Sequence, residues 1–403
     1  MNYIYLILHI LEYIIFIYLG LSALYILVFA FAGKIIAVRK LTIKKPVKYR
    51  KFAVLIPGYK EDNVICEVAI ESLRQDYPKD FFDVVIIADS FLPGTIEKLK
   101  TMPVKLIEVV FEKSTKSKAL NKAMEILGDN YDVALVLDAD NIIASDFISK
   151  INIAFDDGFQ IVQGHRIAKN TNTSFAILDA ISEELNNHIF RKGHRALGLS
   201  SALIGSGMAF DYSLFKKRMS EINAVGGFDK ELELTFLRDK KKIEYVEDAL
   251  VYDEKVQKVE VFENQRKRWL SAQFVYFGRF FFSGLHHLLF KGNIDFFDKV
   301  IQMISPPRIL LIGITGILAL SVTLIQLLTA LTGIITIPYI YWIAVFVIVD
   351  LAFILSIPSK FYNRQTLNAL LTLPKAFTSM FLSLFKLKGA NKKFIHTQHG
   401  TGV

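Results

Sequence analysis

Asp132-Val133-Ala134-Leu135-Val136-Leu137-Asp138-Ala139-Asp140 is the stretch that decides the fold, because an apolar run passes straight into two acids one residue apart. A short apolar run of this kind reads as a strand buried on both faces of a sheet. Side chains alternate along extended backbone, so Asp138 and Asp140 point to the same side where the strand ends. Two carboxylates placed in this way can grip a divalent cation, and their hard oxygens suit Mg²⁺ or Mn²⁺. For an isolated pair of acids a solvated loop is the plainer reading. Here the surrounding pattern favours a site.

Working outward, Phe52 to Pro57, Val84 to Ala88, Lys105 to Val110 and Gln160 to Gln163 also read as strands. Asn63 to Arg74, Ser117 to Leu127 and Phe147 to Ala154 carry apolar residues at helical spacing. This succession predicts an α/β domain, a mostly parallel sheet with helices on both faces and ligands beyond the carboxyl ends of its strands. The acidic and glycine-bearing signals fall at those ends. There is no internal repeat and no low-complexity linker.

The 403 residues are 52% hydrophobic with a mean hydropathy of +0.37, too apolar for an ordinary soluble enzyme, while 22% charged residues are too many for an all-membrane chain. Tyr3 to Ala32 is apolar except for His9 and Glu12, and exceeds the ~20 residues that span hydrocarbon. It reads as a retained membrane helix; a cleaved signal would show a basic start and a shorter apolar stretch. Lys34, Arg39, Lys40, Lys44, Lys45, Lys48, Arg50 and Lys51 follow with no acid among residues 33 to 51, which predicts an outside amino terminus and a cytosolic domain. The net charge of +9 is crowded beside the apolar segments, where anionic headgroups attract it, and this argues against nucleic acid as a partner. Cys66, the single cysteine, has no disulfide or zinc partner and reads as a small packing residue in a reducing compartment.

Phe274 to Phe297 mixes aromatics with Arg279, Lys291, Asp295, His286 and His287, a pattern that suits a helix lying in the membrane interface. After Pro306-Pro307-Arg308, Ile309 to Ile337 and Tyr339 to Ile357 read as two crossings joined by an outside turn around Gly333 to Pro338, with Lys360 and Arg364 inside. Leu367 to Leu384, broken by Pro374-Lys375, reads as a second interfacial helix, a further crossing being the alternative. Lys386, Lys388, Lys392 and Lys393 form a basic cytosolic tail, in which Thr397 and His399 either touch a ligand or coat the membrane surface.

Gln265-Arg266-Lys267-Arg268-Trp269 combines types suited to one task. Arginine presents a planar fork of donors to phosphate oxygens, Gln a neutral donor and Trp a flat apolar face for a sugar ring. A basic amphipathic helix at a membrane surface would use the same residues.

Taken in order, these signals resemble the membrane-embedded family 2 glycosyltransferases, the superfamily of cellulose, chitin and hyaluronan synthases and of glucosylceramide synthase. The resemblance covers about residues 50 to 270 and, in general character, the flanking membrane segments. Pro57-Gly58-Tyr59-Lys60-Glu61 resembles the family's opening Pro-Ala-Tyr-Asn-Glu, Ala88-Asp89 its next acidic strand end, and Lys118-Ala119-Leu120-Asn121 its Lys-Ala-Leu-Asn helix start. Asp138-Ala139-Asp140 resembles its metal motif, Gly205-Ser206-Gly207 its acceptor-side loop, and Gln265 to Trp269 its Gln-X-X-Arg-Trp.

The resemblance implies a GT-A, Rossmann-like cytosolic domain over residues 50–270, after a membrane helix over 1–33 and before interfacial helices, about two crossings and the tail over 271–403. It implies inverting transfer from a nucleotide sugar, a UDP-sugar by likeness, with no covalent sugar-enzyme intermediate. Tyr59, Glu61 and Asp89 would hold the nucleoside, and Lys118 and Asp138 would lie near the diphosphate. Asp140 would take the metal with Asp138 beside it. Gln265, Arg266, Arg268 and Trp269 would line diphosphate and acceptor, with Gly205, Ser206 and Gly207 on the acceptor side.

The catalytic base departs from the family's Thr-Glu-Asp. Aligning Glu233-Leu234 with the family's acidic-Leu pair puts Glu231 at the base position, with Lys230 before it and Asp229 as the alternative. Gln163, Gly164 and Arg166 resemble the family's substrate-side strand, a simple pairing with an acid being the alternative for Arg166. His165, His188 and His194 lack metal-ligand spacing and read as solvated or hydrogen-bonded. The expected acceptor is a growing polysaccharide. Because about three crossings are few for one chain to make a conduit, an export partner or a homo-oligomer would be one way to complete it. A single-addition glycolipid transferase and a silent nucleotide-binding subunit are the alternatives.

Overall fold

The computed structural model describes residues 3–36, 45–222, 224, 226–255, 259–328 and 335–384, with the backbone alone at 259–266 and 268. Strands β1 (Phe52–Tyr59), β2 (Phe82–Asp89), β3 (Lys105–Val109), β4 (Val133–Val136), β5 (Ile142–Ile143), β6 (Ile161–Ala168), β7 (Met208–Asp211) and β8 (Glu244–Asp253) form one sheet ordered β3-β2-β1-β4-β7-β6-β8-β5. β1 to β4 are parallel, β6 and β8 are parallel, and β7 and β5 run against their neighbours. The sheet is the mostly parallel, GT-A-like one that the sequence predicts. Each expected strand is present. β5, β7 and β8 escaped the reading because β5 and β7 are very short and because Glu244, Glu247 and Asp248 mask the apolar pattern of β8.

The helices are α1 (Tyr3–Ile35), α2 (Ile65–Ser72), α3 (Pro93–Lys100), α4 (Lys116–Leu127), α5 (Phe147–Asp156), α6 (Ser174–Asn186), a π-helical turn (Asn187–Gly193) and α7 (His194–Ala196). There follow α8 (Tyr212–Ser220), α9 (Phe228–Arg238), α10 (Val259–Lys291), α11 (Ile294–Gln302), α12 (Arg308–Leu328), α13 (Tyr339–Ser356), α14 (Arg364–Leu370) and α15 (Leu373–Leu384). Alternation along β1 sends Val54 and Ile56 into the core beneath α2, α3 and α5, and Ala53 and Leu55 into the opposite core beneath α4, α8 and α9. Burial on both faces explains the unbroken apolar runs of β1 and β4.

The helices α1, α12 and α13 are long and apolar enough to cross a membrane. They share a core that includes Ala23, Ile26, Leu311, Trp342 and Val349. Glu12, a polar exception in α1, accepts hydrogen bonds from Thr336 N (2.9 Å), Thr336 Oγ1 (2.8 Å) and Ile337 N (3.0 Å), so its carboxylate ties α1 to the approach to α13. Helices α14 and α15 bend by 44° at their break and would make a fourth crossing if counted as one span. The break precedes Pro374, which sits in the first turn of α15, where a missing N–H costs nothing.

The two apolar spans expected after Pro306-Pro307 are α12 and α13; residues 335–338, in the expected turn, are not helical, and residues 329–334 lie outside the described residues. Phe274 to Phe297 covers the second half of α10, which runs unbroken through residues 270 and 271, and the start of α11. Tyr276, Phe280, Phe296 and Val300 are buried in the sheet-side core, while Phe282, Leu289, Phe290 and Ile294 stay exposed. Spacing of three and four residues gives this segment one face for the catalytic domain and another for an apolar surrounding.

Candidate active site

A cleft of about 510 Å³ opens at the carboxyl ends of β1, β2 and β4. Tyr59, Glu61 and Asp89 line one end, and Asp89 and Glu61 are buried. Here β1 and β2 are each followed by a left-handed residue that is not glycine, Lys60 at φ +56° and Ser90 at φ +60°, and Lys60 N donates to the Asp89 carbonyl at 3.1 Å. Such conformations cost of order 1–3 kcal/mol each and collect at functional sites.

Asp138 and Asp140 both line the cleft beyond β4, with Asp140 6% exposed. Ser206 Oγ accepts from Asp138 N at 3.0 Å and donates to Asn141 Oδ1 at 2.5 Å, so the Gly205–Gly207 loop is fastened to the acidic strand end. Gly207 is required there: its φ is +62°, and a Cβ would lie 2.6 Å from Val251 Cγ2. Gly205 lines the cleft, whereas Ser206 is wholly buried as its fastening. Among the described residues no group of three or more His, Cys, Asp or Glu is arranged to hold a metal. The donor set still fits Mg²⁺ or Mn²⁺, because such ions take one or two carboxylates and complete their shell with water and substrate phosphate oxygens.

Of the lysines at the start of α4, Lys118 points away from the cleft and Lys116 lines it. Lys118 Nζ donates to the Lys113 carbonyl at 2.9 Å, away from the cleft. Lys116, at the start of α4, reaches Asp138 Oδ1 at 2.5 Å and the Gly205 carbonyl at 2.7 Å. Residues two apart on a helix point roughly 200° apart, so only one of the pair can face the site.

The same geometry separates the two base candidates. Gly227, at φ +69°, turns the chain into α9 so that Asp229 lines the cleft. Glu231 faces the other way, accepting from Arg279 Nη1 at 2.8 Å and Tyr276 Oη at 3.2 Å in a second cavity. Alignment counts residues, but helical phase decides which carboxylate meets the cleft, and of the two base candidates it is Asp229 that lines it. Burial pushes the Asp229 carboxyl above its ordinary value, and Glu233 adds to this while Lys230 and Lys116 oppose it.

Trp269, on α10, lines the cleft and is 41% exposed. The side chains of Gln265, Arg266 and Arg268 lie outside the described residues, as do Thr397 and His399.

Another part of the cleft wall is built of buried ion pairs, in which Arg166 has the acidic partner that the sequence offered as one reading, while Glu183, Arg191, Asp253 and Lys255 were not singled out. Arg166 Nη2 pairs with Glu183 at 2.7 Å, Arg191 with Glu183 at 3.5 Å, and Lys255 with Asp253 at 2.6 Å, all in or beside the cleft. Burial alone would raise the Glu183 carboxyl, but Arg166, Lys255 and Arg191 together hold it well below its ordinary range. The π-helical turn brings Arg191 into this wall, and no local residue pattern announces such a turn. The three singled-out histidines have the hydrogen-bonded roles expected of them: His165 with Glu184, His188 with the Ala30 carbonyl, and His194 with Tyr25 and Gln302.

Past Asp229 the cleft continues to Gln302, Met303 and Pro306-Pro307-Arg308 at the foot of α12, and to Met380 of α15. Its far end therefore meets helices that belong with the apolar, membrane-compatible part of the chain.

A mostly parallel sheet with strand-end acids, a helix-borne carboxylate and apolar helices defines a GT-A-like α/β domain borne on candidate membrane helices. The chain belongs to the glycosyltransferase-like family 2, whose model matches residues 50–272, more than half of it. It is therefore a family 2 glycosyltransferase. Among solved structures it is similar to the mannosyltransferase PcManGT from Pyrobaculum calidifontis in complex with GDP-Man and Mn²⁺, with 16% identity, 83% of this chain and 98% of that chain covered, and a TM-score of 0.51. S. aureus TarS 1-349 in complex with UDP-GlcNAc matches at 15% identity over 81% of this chain and 91% of that one, with a TM-score of 0.40. At these identities the likeness to PcManGT speaks for the fold alone. No curated protein matches the sequence.

Proposed function

We propose that this chain moves a sugar, with inversion, from a nucleotide sugar to an acceptor presented at the membrane. The observation that carries the reading is the single cleft that runs from Asp138 and Asp140 past Asp229 to Arg308 and Met380. Tyr59, Glu61 and Asp89 would receive the nucleoside. Asp138 and Asp140 would hold Mg²⁺ or Mn²⁺, which when bound would supply positive charge against the diphosphate. Lys116 would add a second positive charge on the same side.

Asp229 accepts the proton of the acceptor hydroxyl, and the freed oxygen bonds to the anomeric carbon from the face opposite the diphosphate. The bond from that carbon to the diphosphate oxygen breaks, and the nucleoside diphosphate leaves with its electron pair. A base in reach of the hydroxyl is expected to contribute 10² to 10⁴-fold. Trp269 offers a flat face to the acceptor sugar, with Gln265, Arg266 and Arg268 on the same helix as candidates for diphosphate contacts. In the membrane arrangement that fits the charge pattern, the amino terminus is outside and the cleft is cytosolic.

A polysaccharide acceptor follows from the Gln-Arg-X-Arg-Trp signature, with export by a partner or by a homo-oligomer. The glycolipid reading is supported by the cleft's far end, where Met303, Pro306, Pro307 and Met380 give an apolar approach from the level of the membrane helices. The test is nucleoside diphosphate release by the protein in lipid nanodiscs with Mn²⁺ or Mg²⁺, screened over UDP-glucose, UDP-galactose, UDP-N-acetylglucosamine, UDP-N-acetylgalactosamine, UDP-glucuronate and GDP-mannose. Labelled product in the organic phase means a glycolipid, and high-mass aqueous product means a polymer. Nucleotide binding without turnover of any donor would sink the transfer reading in favour of a silent subunit.

A further inference from the structure

Lys299 of α11 has no exposure at all; burial lowers its pKa, while Glu233, Asp298 and Asp295 act to keep it an ammonium, a charge that is costly to bury unless something answers it. A methionine of similar length would fill the same space without that cost, so the ammonium's contribution is its charge. Its Nζ lies 3.6 Å from Glu233 Oε1 and 3.3 Å from Gln302 Oε1. Glu233, 1% exposed, stands one helical turn after Asp229 on α9. Its other oxygen accepts from Lys230 Nζ at 3.0 Å, and Lys230 also donates to the Leu203 carbonyl at 2.8 Å and lines the cleft. Oε1 of Glu233 has no hydrogen bond, which leaves Lys299 as the cation beside it among the described residues.

On its other side Lys299 meets a second set of groups. Gln302 Nε2 donates to Asp298 Oδ2 at 2.7 Å, Tyr25 Oη of α1 donates to Asp298 Oδ1 at 2.6 Å, and His194 Nε2 lies 3.3 Å from Asp298. Charges thus alternate from Asp298 through Lys299, Glu233 and Lys230 to Asp229. Both Lys230 and Gln302 face the cleft.

We propose that Lys299 is a positioning residue for the reaction: lodged between Glu233 and Gln302, it holds in place the charges that surround the Asp229 carboxylate. This rests on the reading of Asp229 as the base. The groups facing Asp229 are Lys230 and Glu233 from α9, Lys116 from α4 and Tyr276 from α10. Glu233 disfavours the ionised Asp229, while Lys230 and Lys116 favour it. Removing the Glu233 charge therefore makes Asp229 more acidic. Removing Lys299 takes away a buried cation, while Glu233 stays ionised against Lys230, so Asp229 becomes less acidic.

The experiment is pH-difference infrared spectroscopy of the full chain in nanodiscs, the Asp229 carboxyl band being assigned by its loss in Asp229→Asn. Nucleoside diphosphate release is followed over the same pH range. The expected result is a midpoint moved down in Glu233→Gln and up in Lys299→Met, each by roughly half to one pH unit, with the acidic limb of turnover moving alongside. The double variant should return near the starting midpoint. A midpoint that stays put or rises in Glu233→Gln, or stays put in Lys299→Met, overturns the proposal. Should Lys299→Met fail to fold, Glu233→Gln and the double variant decide. If the midpoints move as expected but Asp229→Asn keeps full turnover, the charge arrangement stands and the assignment of Asp229 as base is what fails.

Discussion

Lys116 Nζ stands 2.5 Å from Asp138 Oδ1 and 2.7 Å from the Gly205 carbonyl, joining the start of α4 to the acidic strand end and to the glycine loop. That ammonium lines the cleft, on a side chain long enough to turn toward a diphosphate bound beside Asp138. Lys116→Met should weaken binding of the donor's nucleoside diphosphate by about tenfold, the loss of one charge-assisted hydrogen bond. Lys118→Met should leave it within about twofold, since Lys118 points to the Lys113 carbonyl. Calorimetric titration with UDP or GDP and Mn²⁺ checks both, and equal losses would show that the two lysines share the task.

Asp229 and Glu231 are two residues apart and on different sides of α9. Asp229→Asn should lower turnover by 10² to 10⁴-fold, whereas Glu231→Gln should keep most of it and chiefly loosen the contact with Arg279. Because burial raises the Asp229 carboxyl, the active carboxylate is lost as pH falls through a value above the ordinary ~3.9. The acidic limb of kcat should lie above that value and should report this one group. Unchanged activity in Asp229→Asn with loss in Glu231→Gln would restore the alignment-based assignment.

For the metal, Asp140→Asn should remove the Mn²⁺ signal that electron paramagnetic resonance detects in the presence of nucleotide. EDTA should abolish nucleoside diphosphate release by the unaltered chain, and added Mn²⁺ or Mg²⁺ should restore it. Full activity in EDTA would mean that Lys116 and the arginines alone meet the diphosphate.

Glu183 answers Arg166, Arg191 and Lys255 in the cleft wall. Glu183→Gln leaves three buried cations short of a partner and should destabilise the catalytic domain by about 3–5 kcal/mol, read as a lowered Tm. Its depressed carboxyl contributes stability above the unfolded value of ~4.3, and that contribution is lost as pH falls toward the folded value. A Tm indifferent to the substitution would show that the wall is hydrated rather than dry.

Gly193, closing the π-helical turn, lies so near α1 that a Cβ would stand 2.2 Å from the Phe29 carbonyl oxygen. Gly193→Ala should force the two elements apart and cost about 1–3 kcal/mol. Thermal unfolding in detergent checks this, and a disulfide-trapping pair across the contact would report the separation directly. An unchanged Tm would mean that α1 shifts without cost.

Much of the fold was legible because its information is local. Continuous apolar runs at Phe52, Val84 and Val133 and the helical spacing from Ser117 to Leu127 mark elements whose two faces are both buried, and each appears in the structure. The acids at 89, 138 and 140 could be placed at strand ends from the same pattern. β8 was hidden, since its charged residues resemble a surface segment until β6 and β5 flank it. That Lys116 rather than Lys118 lines the cleft is not legible in the sequence, because the Lys-Ala-Leu-Asn likeness points to Lys118.

From its residues alone, this chain is determined to be an α/β domain beside apolar helices, with strand-end acids at one edge of a sheet, because strand and helix periods are written in neighbouring side chains. Only the tertiary structure decided that Asp229 and Lys116 face the cleft while Glu231 and Lys118 do not. The rotation of a helix about its own axis is set by the distant elements against which it packs, and no short stretch of sequence carries that phase.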